Sequence, residues 1–408
     1  MIMGGGRKIV ILFAAAFLLR LMLMGVWYGT GQSGHMPDDA YGHYAIAESL
    51  LQGKGFQLEG KPTLRRPPVY PFLMALNIKW HFFPAGIYVS QIFAGTLICL
   101  IVYLLGKEIF NETAGFIAGI LAAADYLAVR QTASVMPDLI FVFFLILSFY
   151  FAYRAWNERK DAWLFGAGLA GGAALLTKDV LILFYFLFPL WFLFWGDRFK
   201  KIIQRTALFF SALFLVIGPW IIRNVIIQKQ PVLLTISAGH NFYFGNNPEV
   251  TGRTTGGEWE LGKDFILKDD PDMPVLWSLE ADRYFAGKAG HYIREKPGLF
   301  FKRMGRKVVK MWRPYLTESP GITQFLTAIT YLPVMFFGIL GTVLSLPRWK
   351  AFFPIYLLMA YVVIVHAATI SAIRYRFPVM PFWALFAGFA ILYCYQGLKK
   401  TEKVGSFA

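Results

Sequence analysis

Two pairs of charged residues follow the first long apolar stretch of this chain. Asp38 and Asp39 form a pair of carboxylates, and Arg65 and Arg66 form a pair of cations further along. A carboxylate can accept the proton of an attacking hydroxyl group. An arginine offers paired donors that suit the oxygens of a phosphate. Brought together, these residue types predict the activation of a nucleophile beside a phosphate leaving group.

The aspartate pair also has a purely structural explanation. Asp38 and Asp39 precede a predicted helix at about 40–51, and aspartate is a favoured N-cap. One carboxylate can cap this helix while the other faces a cavity. His35 and His43 flank the pair, but their spacing matches no strong metal-ligand motif. The sequence thus implies no certain cofactor, and a divalent metal is an open but unfavoured alternative.

The composition indicates the class of protein to which these residues belong. Of 408 residues, 57% are hydrophobic and 16% are charged. Apolar stretches of about twenty residues recur, each long enough to cross a hydrocarbon core of about 30 Å. They are continuously apolar, unlike the alternating strands of a membrane barrel, so we predict an all-α polytopic membrane protein. The formal charge of +16 is attributed to loops and lipid headgroups, and no nucleic-acid partner is expected.

Ten membrane spans are predicted, and the charges of the loops orient them. The spans lie at about 8–28, 85–105, 113–130, 139–156, 162–178, 180–196, 206–222, 325–345, 351–371 and 377–396. Lys and Arg gather in the loops on the side of the N-terminus, which indicates that both termini are cytoplasmic. The chain then divides into an N-terminal module (1–222) with an outer loop at 29–84, a long outer loop (223–324) and a C-terminal module of three spans with a short cytoplasmic tail (325–408).

Several charged residues lie on the outer side, where the same rule expects few of them. The basic ones beyond the arginine pair are Arg130, Lys178, Arg223, Arg374 and Arg376. A phosphate bound at the outer leaflet would account for this set, although single members can instead contact lipid phosphates or pair with carboxylates. Asp138 begins the fourth span on the same side, where a charge needs a partner or a function. For Arg20 and Asp125, in spans one and three, we expect a structural ion pair.

The long outer loop contains two predicted helices, at about 276–292 and 297–312. The basic residues of the second are Lys302, Arg303, Arg306, Lys307 and Lys310, and they alternate with apolar residues. This spacing predicts a basic amphipathic helix that lies in the plane of the lipid headgroups.

Common motifs of nucleophilic and nucleotide-dependent enzymes are absent from the sequence. The cytoplasmic loops are also too short to hold a nucleotide, so an activated donor would have to be carried by a lipid. An alternative is a transporter or flippase of polyprenyl-linked glycans. Such a protein would be expected to carry charges near the bilayer midplane and on both faces, whereas the charges singled out here cluster on the outer side.

The order of several motifs resembles a known family. The paired acids are followed by Gly53-Lys54-Gly55-Phe56 and by Arg66-Pro67-Pro68-Val69-Tyr70-Pro71. Further matches are Leu176-Thr177-Lys178, Pro219-Trp220 with Arg223-Asn224, Gly239-His240-Asn241 through Gly245-Asn246-Asn247-Pro248, and Arg374-Tyr375-Arg376-Phe377-Pro378. In this order they resemble the bacterial membrane glycosyltransferases related to protein O-mannosyltransferases and to the lipid A aminoarabinose transferase, which share the GT-C fold.

The resemblance implies an inverting glycosyltransferase that moves a hexose or pentose from a polyprenyl-phosphate carrier to a hydroxyl or phosphate acceptor. The acceptor would be a lipid, a glycan or a protein at the outer face of the bacterial cytoplasmic membrane. Asp38 matches the general base, Asp39 a neighbouring position that more often holds Glu, and Asp138 the second acid. The residues implied to bind the carrier phosphate are Arg65, Arg66, Lys178, Arg223, Arg374 and Tyr375. Those implied to line the substrate cavity are Tyr41, His43, Tyr70 and Asn246.

Overall fold

The computed structural model describes residues 5–29, 38–248, 250, 273–314 and 321–405, with the backbone alone for Asp38 and for residues 399–405. Within this part of the chain, a single two-stranded hairpin accompanies the helices. Six helical segments are long and apolar enough to cross a membrane. They are Gly5–Gly29, Ala85–Ile109, Asp138–Glu158, Phe199–Gln228, Ile322–Ala368 and Ile373–Leu398. The predicted all-α membrane class is confirmed.

The regular elements follow one another in the predicted order. The first are α1 (Gly5–Gly29), α2 (Asp38–Leu51), β1 (Gln57–Leu58), β2 (Lys61–Pro62), α3 (Val69–Lys79), α4 (Ala85–Ile109), α5 (Glu112–Ala124), α6 (Tyr126–Gln131), α7 (Asp138–Glu158) and α8 (Asp161–Thr177). The others are α9 (Ile182–Leu187), α10 (Phe199–Gln228), α11 (Ala238–Phe244), α12 (Leu279–Glu295), α13 (Pro297–Met311), α14 (Ile322–Ser345), α15 (Trp349–Ala368) and α16 (Met380–Gly405). Helical structure lies at each of the ten predicted span positions, although the number of membrane crossings stays a prediction.

Small residues allow the long helices to approach each other closely. A Cβ at Gly115 of α5 would lie 2.4 Å from the Tyr103 carbonyl oxygen of α4. One at Gly341 of α14 would lie 2.0 Å from the Phe386 carbonyl oxygen of α16. Within a membrane, lipid tails are as apolar as the side chains, so the hydrophobic effect does not hold helices together. Close packing of this kind drives their association instead. An alanine at either glycine would force the two helices apart.

The two long segments predicted as outer loops, 29–84 and 223–324, contact each other. In the first, α2 packs on α3 through a cluster that includes Tyr70 and Met74. In the second, α11 packs on α12 through a cluster around Phe285. The Ile236 amide donates to the Leu64 carbonyl at 3.1 Å, which joins the two segments through their backbones.

The third predicted span breaks at Asp125, and this residue does not pair as expected. Asp125 Oδ1 accepts from the Leu127 amide at 3.0 Å and so caps α6. Arg20 donates to the Ala16 carbonyl at 3.0 Å and contacts Cys99 Sγ at 3.6 Å. Arg20 and Asp125 line the same cavity of about 20 Å³, which is large enough for one water molecule. The expected direct ion pair between them is therefore wrong, because local backbone groups provide partners for both.

Helix α13 has the predicted amphipathic pattern, and its basic face packs against the protein. Arg303, Lys307 and Lys310 are at most 5% exposed, whereas Phe301 and Val309 are 67% and 65% exposed. The basic stripe therefore faces the protein, where backbone carbonyls accept from it. These three cations therefore contact protein rather than lipid headgroups, and the position of the helix in the headgroup plane stays a prediction.

Candidate active site

Asp39 lies between two arginines that come from distant parts of the chain. It stands in the first turn of α2, whereas Arg66 precedes α3 and Arg374 belongs to the 3-10 turn Ile373–Val379 between α15 and α16. One carboxylate oxygen of Asp39 accepts from Arg66 Nη2 at 3.1 Å, and the other accepts from Arg374 Nη2 at 2.8 Å. Both oxygens of the carboxylate are thus held by a cation.

A second ion pair joins α7 to α8. Lys178 follows the last residue of α8, and its Nζ lies 2.8 Å from Oδ1 of Asp138 at the start of α7. A carboxylate is favoured in the first turn of a helix because the helix dipole is positive there. Asp138 is buried, and its Oδ2 has no hydrogen-bond partner among the described residues.

Tyr375 connects the two ion pairs. Its ring centroid lies 5.6 Å from Lys178 Nζ and 5.4 Å from Arg374 Cζ. The ring also stacks on His366, with centroids 4.3 Å apart and planes 9° from parallel. Contacts of these two kinds favour a fixed ring orientation. The predicted phosphate-side residues Arg66, Lys178, Arg374 and Tyr375 therefore converge with Asp39 and Asp138.

Burial and neighbouring charges shift the pKa of Asp39 in opposite directions. Burial raises the pKa of its carboxyl group, but Arg374 and Arg66 outweigh burial and hold this pKa well below its usual range. Asp39 is therefore ionised at neutral pH. Burial, with a further contribution from Arg66, lowers the pKa of His43 well below its usual value, so the imidazole is neutral at pH 7. The site combines fixed cations with a carboxylate that resists protonation.

His43 and Tyr70, both predicted to line the substrate cavity, are buried side by side. Their rings meet edge to face with centroids 5.3 Å apart. Neither His43 Nδ1 nor the Tyr70 hydroxyl has a hydrogen-bond partner among the residues that the structure describes. Buried polar groups without partners are rare in proteins. These two atoms can therefore bind a water molecule or a hydroxyl group.

Two predicted phosphate ligands, Arg65 and Arg223, are engaged with other parts of the protein. The Arg65 guanidinium lies 3.8 Å from the ring centroid of Trp277, and burial lowers the pKa of Arg65 to about 10. Arg223 donates to the carbonyls of Phe56 and Thr63 at 3.1 and 3.2 Å. These contacts favour structural roles, and phosphate binding by either residue stays a prediction.

The other two residues predicted to line the cavity differ in exposure. Tyr41 is 55% exposed. Asn246 is buried, and its Nδ2 donates to the carbonyls of Phe242 and Ala368 at 2.8 and 2.7 Å. Contact of either residue with a substrate stays a prediction.

The predicted general base, Asp38, begins α2, but its side chain lies outside the described residues, as does the whole of His35. The catalytic role of Asp38 therefore stays a prediction. Within the described ranges of the chain, no three His, Cys, Asp or Glu side chains form a group that could hold a metal ion. The two ion-pair groups instead bring three cations together with two carboxylates. Such an excess of positive charge suits an anionic ligand.

Two polar residues of this region were not singled out from the sequence. His366 stacks on Tyr375, and Asp179 accepts a hydrogen bond from the Thr235 hydroxyl. Asp179 directly follows Lys178, and this position beside a candidate site residue could have identified Asp179 from the sequence. His366 stands near the end of an apolar span, and no spacing in the sequence connects it with Tyr375.

Comparisons with known proteins identify similar sequences. Residues 65–222 match the family model described as dolichyl-phosphate-mannose-protein mannosyltransferase. The chain is also 27% identical over 270 residues to the Bacillus subtilis (strain 168) protein YkcB, which carries a provisional assignment as a mannosyltransferase. This match covers 61% of the chain but 36% of YkcB, so the chain spans little more than a third of that relative.

Two structures of oligosaccharyltransferase from Archaeoglobus fulgidus are similar in fold. The complex of AglB with an inhibitory peptide and a dolichol-phosphate aligns with a TM-score of 0.54 and 14% identity, over 99% of this chain and 52% of that one. A complex with Zn and sulfate aligns with a TM-score of 0.56 and 14% identity, over 96% and 49%. This chain spans about half the length of these proteins, and likeness at such identity concerns the fold alone. The chain has the GT-C fold of polytopic membrane glycosyltransferases, and over residues 65–222 it is similar to the protein mannosyltransferase family.

Proposed function

We propose that this chain is an inverting glycosyltransferase that uses a polyprenyl-phosphate sugar as its donor. The observation that carries the proposal is the convergence of Asp39, Arg66 and Arg374 with the Asp138–Lys178 pair. These side chains come from five separate parts of the chain, and Tyr375 contacts one cation of each group, Arg374 and Lys178. Charges near a membrane are costly unless they are paired or have a function.

The cations suit the phosphate side of such a reaction. As the bond between the sugar carbon and the phosphate oxygen breaks, negative charge develops on the leaving polyprenyl phosphate. Preorganised cations stabilise that charge more effectively than water does. Arg66 Nε is buried and has no hydrogen-bond partner among the described residues, which leaves a donor for a phosphate oxygen. Lys178 and Arg374 would supply the remaining positive charge.

The carboxylates suit the acceptor side. The acceptor oxygen forms a new bond to the sugar carbon, on the face opposite to the leaving phosphate, and its proton passes to a base. Asp39 is poorly suited to be that base, because both of its oxygens are bound by arginines and its pKa is held low. We therefore assign the base to Asp38 and assign Asp39 to the orientation of Arg66 and Arg374.

The setting of the reaction follows from the loop charges and from the relatives. Basic loops on the side of the N-terminus favour an active site at the outer face of the cytoplasmic membrane, where lipid-linked donors are available. The names of the matched family and of YkcB favour transfer of a mannose-like hexose. One AglB structure contains a dolichol-phosphate and a peptide, which supports a lipid-linked donor. The acceptor is proposed by class alone, as a lipid, glycan or protein.

The test is transfer of sugar by the purified full-length protein. Radiolabelled polyprenyl-phosphate mannose is supplied with membrane lipids or envelope glycans, and loss of label from the carrier is measured with and without acceptor. We expect Asp38→Asn to lower acceptor-dependent transfer by at least about 100-fold, the usual contribution of a general base. Asp161→Asn is the matched control, because Asp161 pairs with Lys201 at the opposite end of α8.

Three outcomes separate the proposal from its alternatives. Unchanged transfer in Asp38→Asn would overturn the assignment of the base. Movement of the carrier across the membrane without transfer of sugar would favour a flippase. Equal losses in Asp38→Asn and Asp161→Asn would indicate a general loss of structure rather than a catalytic effect.

A further inference from the structure

The turn that carries Arg374 begins where α15 ends, and the 223–324 segment holds that end. The last carbonyl groups of a helix have no partner within the helix. The Ala368 carbonyl accepts from Asn246 Nδ2 at 2.7 Å, and the Thr369 carbonyl accepts from Lys307 Nζ. Side chains from a separate part of the chain therefore provide the partners that the end of α15 requires.

Lys307 is the centre of this contact. Its side chain is fully buried. In addition to its bond with Thr369, Lys307 Nζ donates to the Gly245 carbonyl at 2.7 Å and lies 3.5 Å from Asn246 Oδ1. The Ser371 hydroxyl donates to the Lys307 carbonyl at 2.8 Å. Lys307 thus contacts the end of α15 and the residues after it through both its side chain and its backbone.

Gly245 makes this close approach sterically feasible. A Cβ at this position would lie 2.0 Å from the Thr369 carbonyl oxygen and 3.0 Å from Lys307 Nζ. The backbone of the 223–324 segment therefore lies directly against the end of α15. Because Arg374 follows shortly after Thr369, a shift of this end would move the Arg374 guanidinium relative to Asp39.

We propose that Lys307 and Asn246 are positioning residues for Arg374, so that the 223–324 segment sets the geometry in which Arg374 meets the carrier phosphate. This inference rests on the proposed function in one respect, because it takes Arg374 as a ligand of that phosphate. Lys307 needs no contact with substrate for this effect. It acts by fixing the backbone at 368–371, from which the turn with Arg374 and Tyr375 continues.

Amide hydrogen exchange in the full-length protein tests the structural half of the proposal without requiring activity. We expect Lys307→Met to increase exchange at least tenfold in a peptide that covers residues 369–377. The matched control is Arg303→Met. Arg303 is also buried on α13 and also donates to backbone carbonyls, but these belong to Asn247 and Pro248. Exchange at 369–377 should stay close to wild type in this control.

Binding of undecaprenyl phosphate tests the functional half. We expect Lys307→Met to weaken binding of this lipid at least fivefold, and Arg374→Lys to weaken it as well. If Lys307 acts through Arg374, the double variant Lys307→Met/Arg374→Lys should bind little more weakly than Arg374→Lys alone. In a transfer assay, Lys307→Met should raise the KM for the donor more than it lowers kcat.

These experiments distinguish failure of the inference about Lys307 from failure of the proposed function. Unchanged exchange at 369–377 in Lys307→Met overturns the inference, whatever the activity. Increased exchange with unchanged lipid binding, or additive losses in the double variant, overturns the link to Arg374. A wild-type protein that transfers no sugar would overturn the proposed function but would leave the exchange result valid. If Lys307→Met does not fold, Ser371→Ala and Asn246→Ala provide the same comparison with smaller changes.

Discussion

Lys178 Nζ lies 2.8 Å from Asp138 Oδ1, so the end of α8 and the start of α7 are joined by an ion pair whose carboxylate is almost fully buried. The Asp138 side chain is 3% exposed, and that of Lys178 is 25% exposed. A buried charge that loses its partner is strongly destabilising, whereas replacing both members of a pair often costs little. The pair therefore has a measurable signature in stability as well as in activity.

Lys178→Met should destabilise the protein by about 3–5 kcal/mol, because it leaves the Asp138 carboxylate buried without a counter-charge. The double variant Asp138→Asn/Lys178→Met should recover much of that stability but not the transfer activity. Unfolding of the purified protein, followed by circular dichroism, measures the first effect. If the double variant is no more stable than Lys178→Met, another cation compensates Asp138, and the pair is not the dominant interaction.

Asp39 should contribute to stability throughout the neutral range and lose this contribution only in strong acid. The pKa of Asp39 in the folded protein lies below the usual aspartate value of about 3.9. Its stabilising effect is therefore fully present above about pH 4 and is lost as the pH falls through the folded pKa. The difference in unfolding free energy between wild type and Asp39→Asn should thus be constant from pH 8 to pH 5. A difference that already declines between pH 7 and pH 5 would show that Asp39 is not held ionised by Arg66 and Arg374.

The long helices could be predicted from the sequence because each is encoded by a continuous local pattern. The same is true of the helices α12 and α13, found at Leu279–Glu295 and Pro297–Met311 close to their predicted positions. Orientation about the helix axis is not encoded locally. In α13 the two faces are evident from spacing, but the basic face packs inward because backbone carbonyls of other segments accept from Arg303 and Lys307.

The members of the candidate site could be named from the sequence, but their partners could not. The predicted topology groups Asp39, Arg66 and Arg374 at one membrane surface, yet their pairing depends on contacts between distant parts of the chain. For Arg20 and Asp125 the sequence predicts a partner that the structure does not show. Both are charged residues in neighbouring apolar helices, but each binds a nearby backbone group instead of the other side chain.

Arg223 should prove to hold the β-hairpin segment rather than the substrate. Its guanidinium donates to the carbonyls of Phe56 and Thr63, and a lysine lacks the planar fork that reaches both. We expect Arg223→Lys to cost about 1–3 kcal/mol of stability and to speed trypsin cleavage after the exposed Lys54, which is followed by Gly55. If Arg223→Lys stays resistant and Arg223→Gln alone weakens donor binding, positive charge is what matters, and phosphate binding by Arg223 is favoured.

The stack of His366 on Tyr375 should support transfer through the position of the tyrosine ring. An aromatic pair of this kind is worth about 0.5–1.5 kcal/mol beyond its buried area, so we expect His366→Ala to slow transfer by about two- to tenfold. His366→Phe keeps a ring at the same place and should retain activity within about twofold of wild type, an expectation that follows from the stacking energy alone. His366 Nδ1 also lies 3.3 Å from the Ile370 carbonyl oxygen. Equal losses in His366→Phe and His366→Ala would therefore assign the effect to this nitrogen contact and not to the stack.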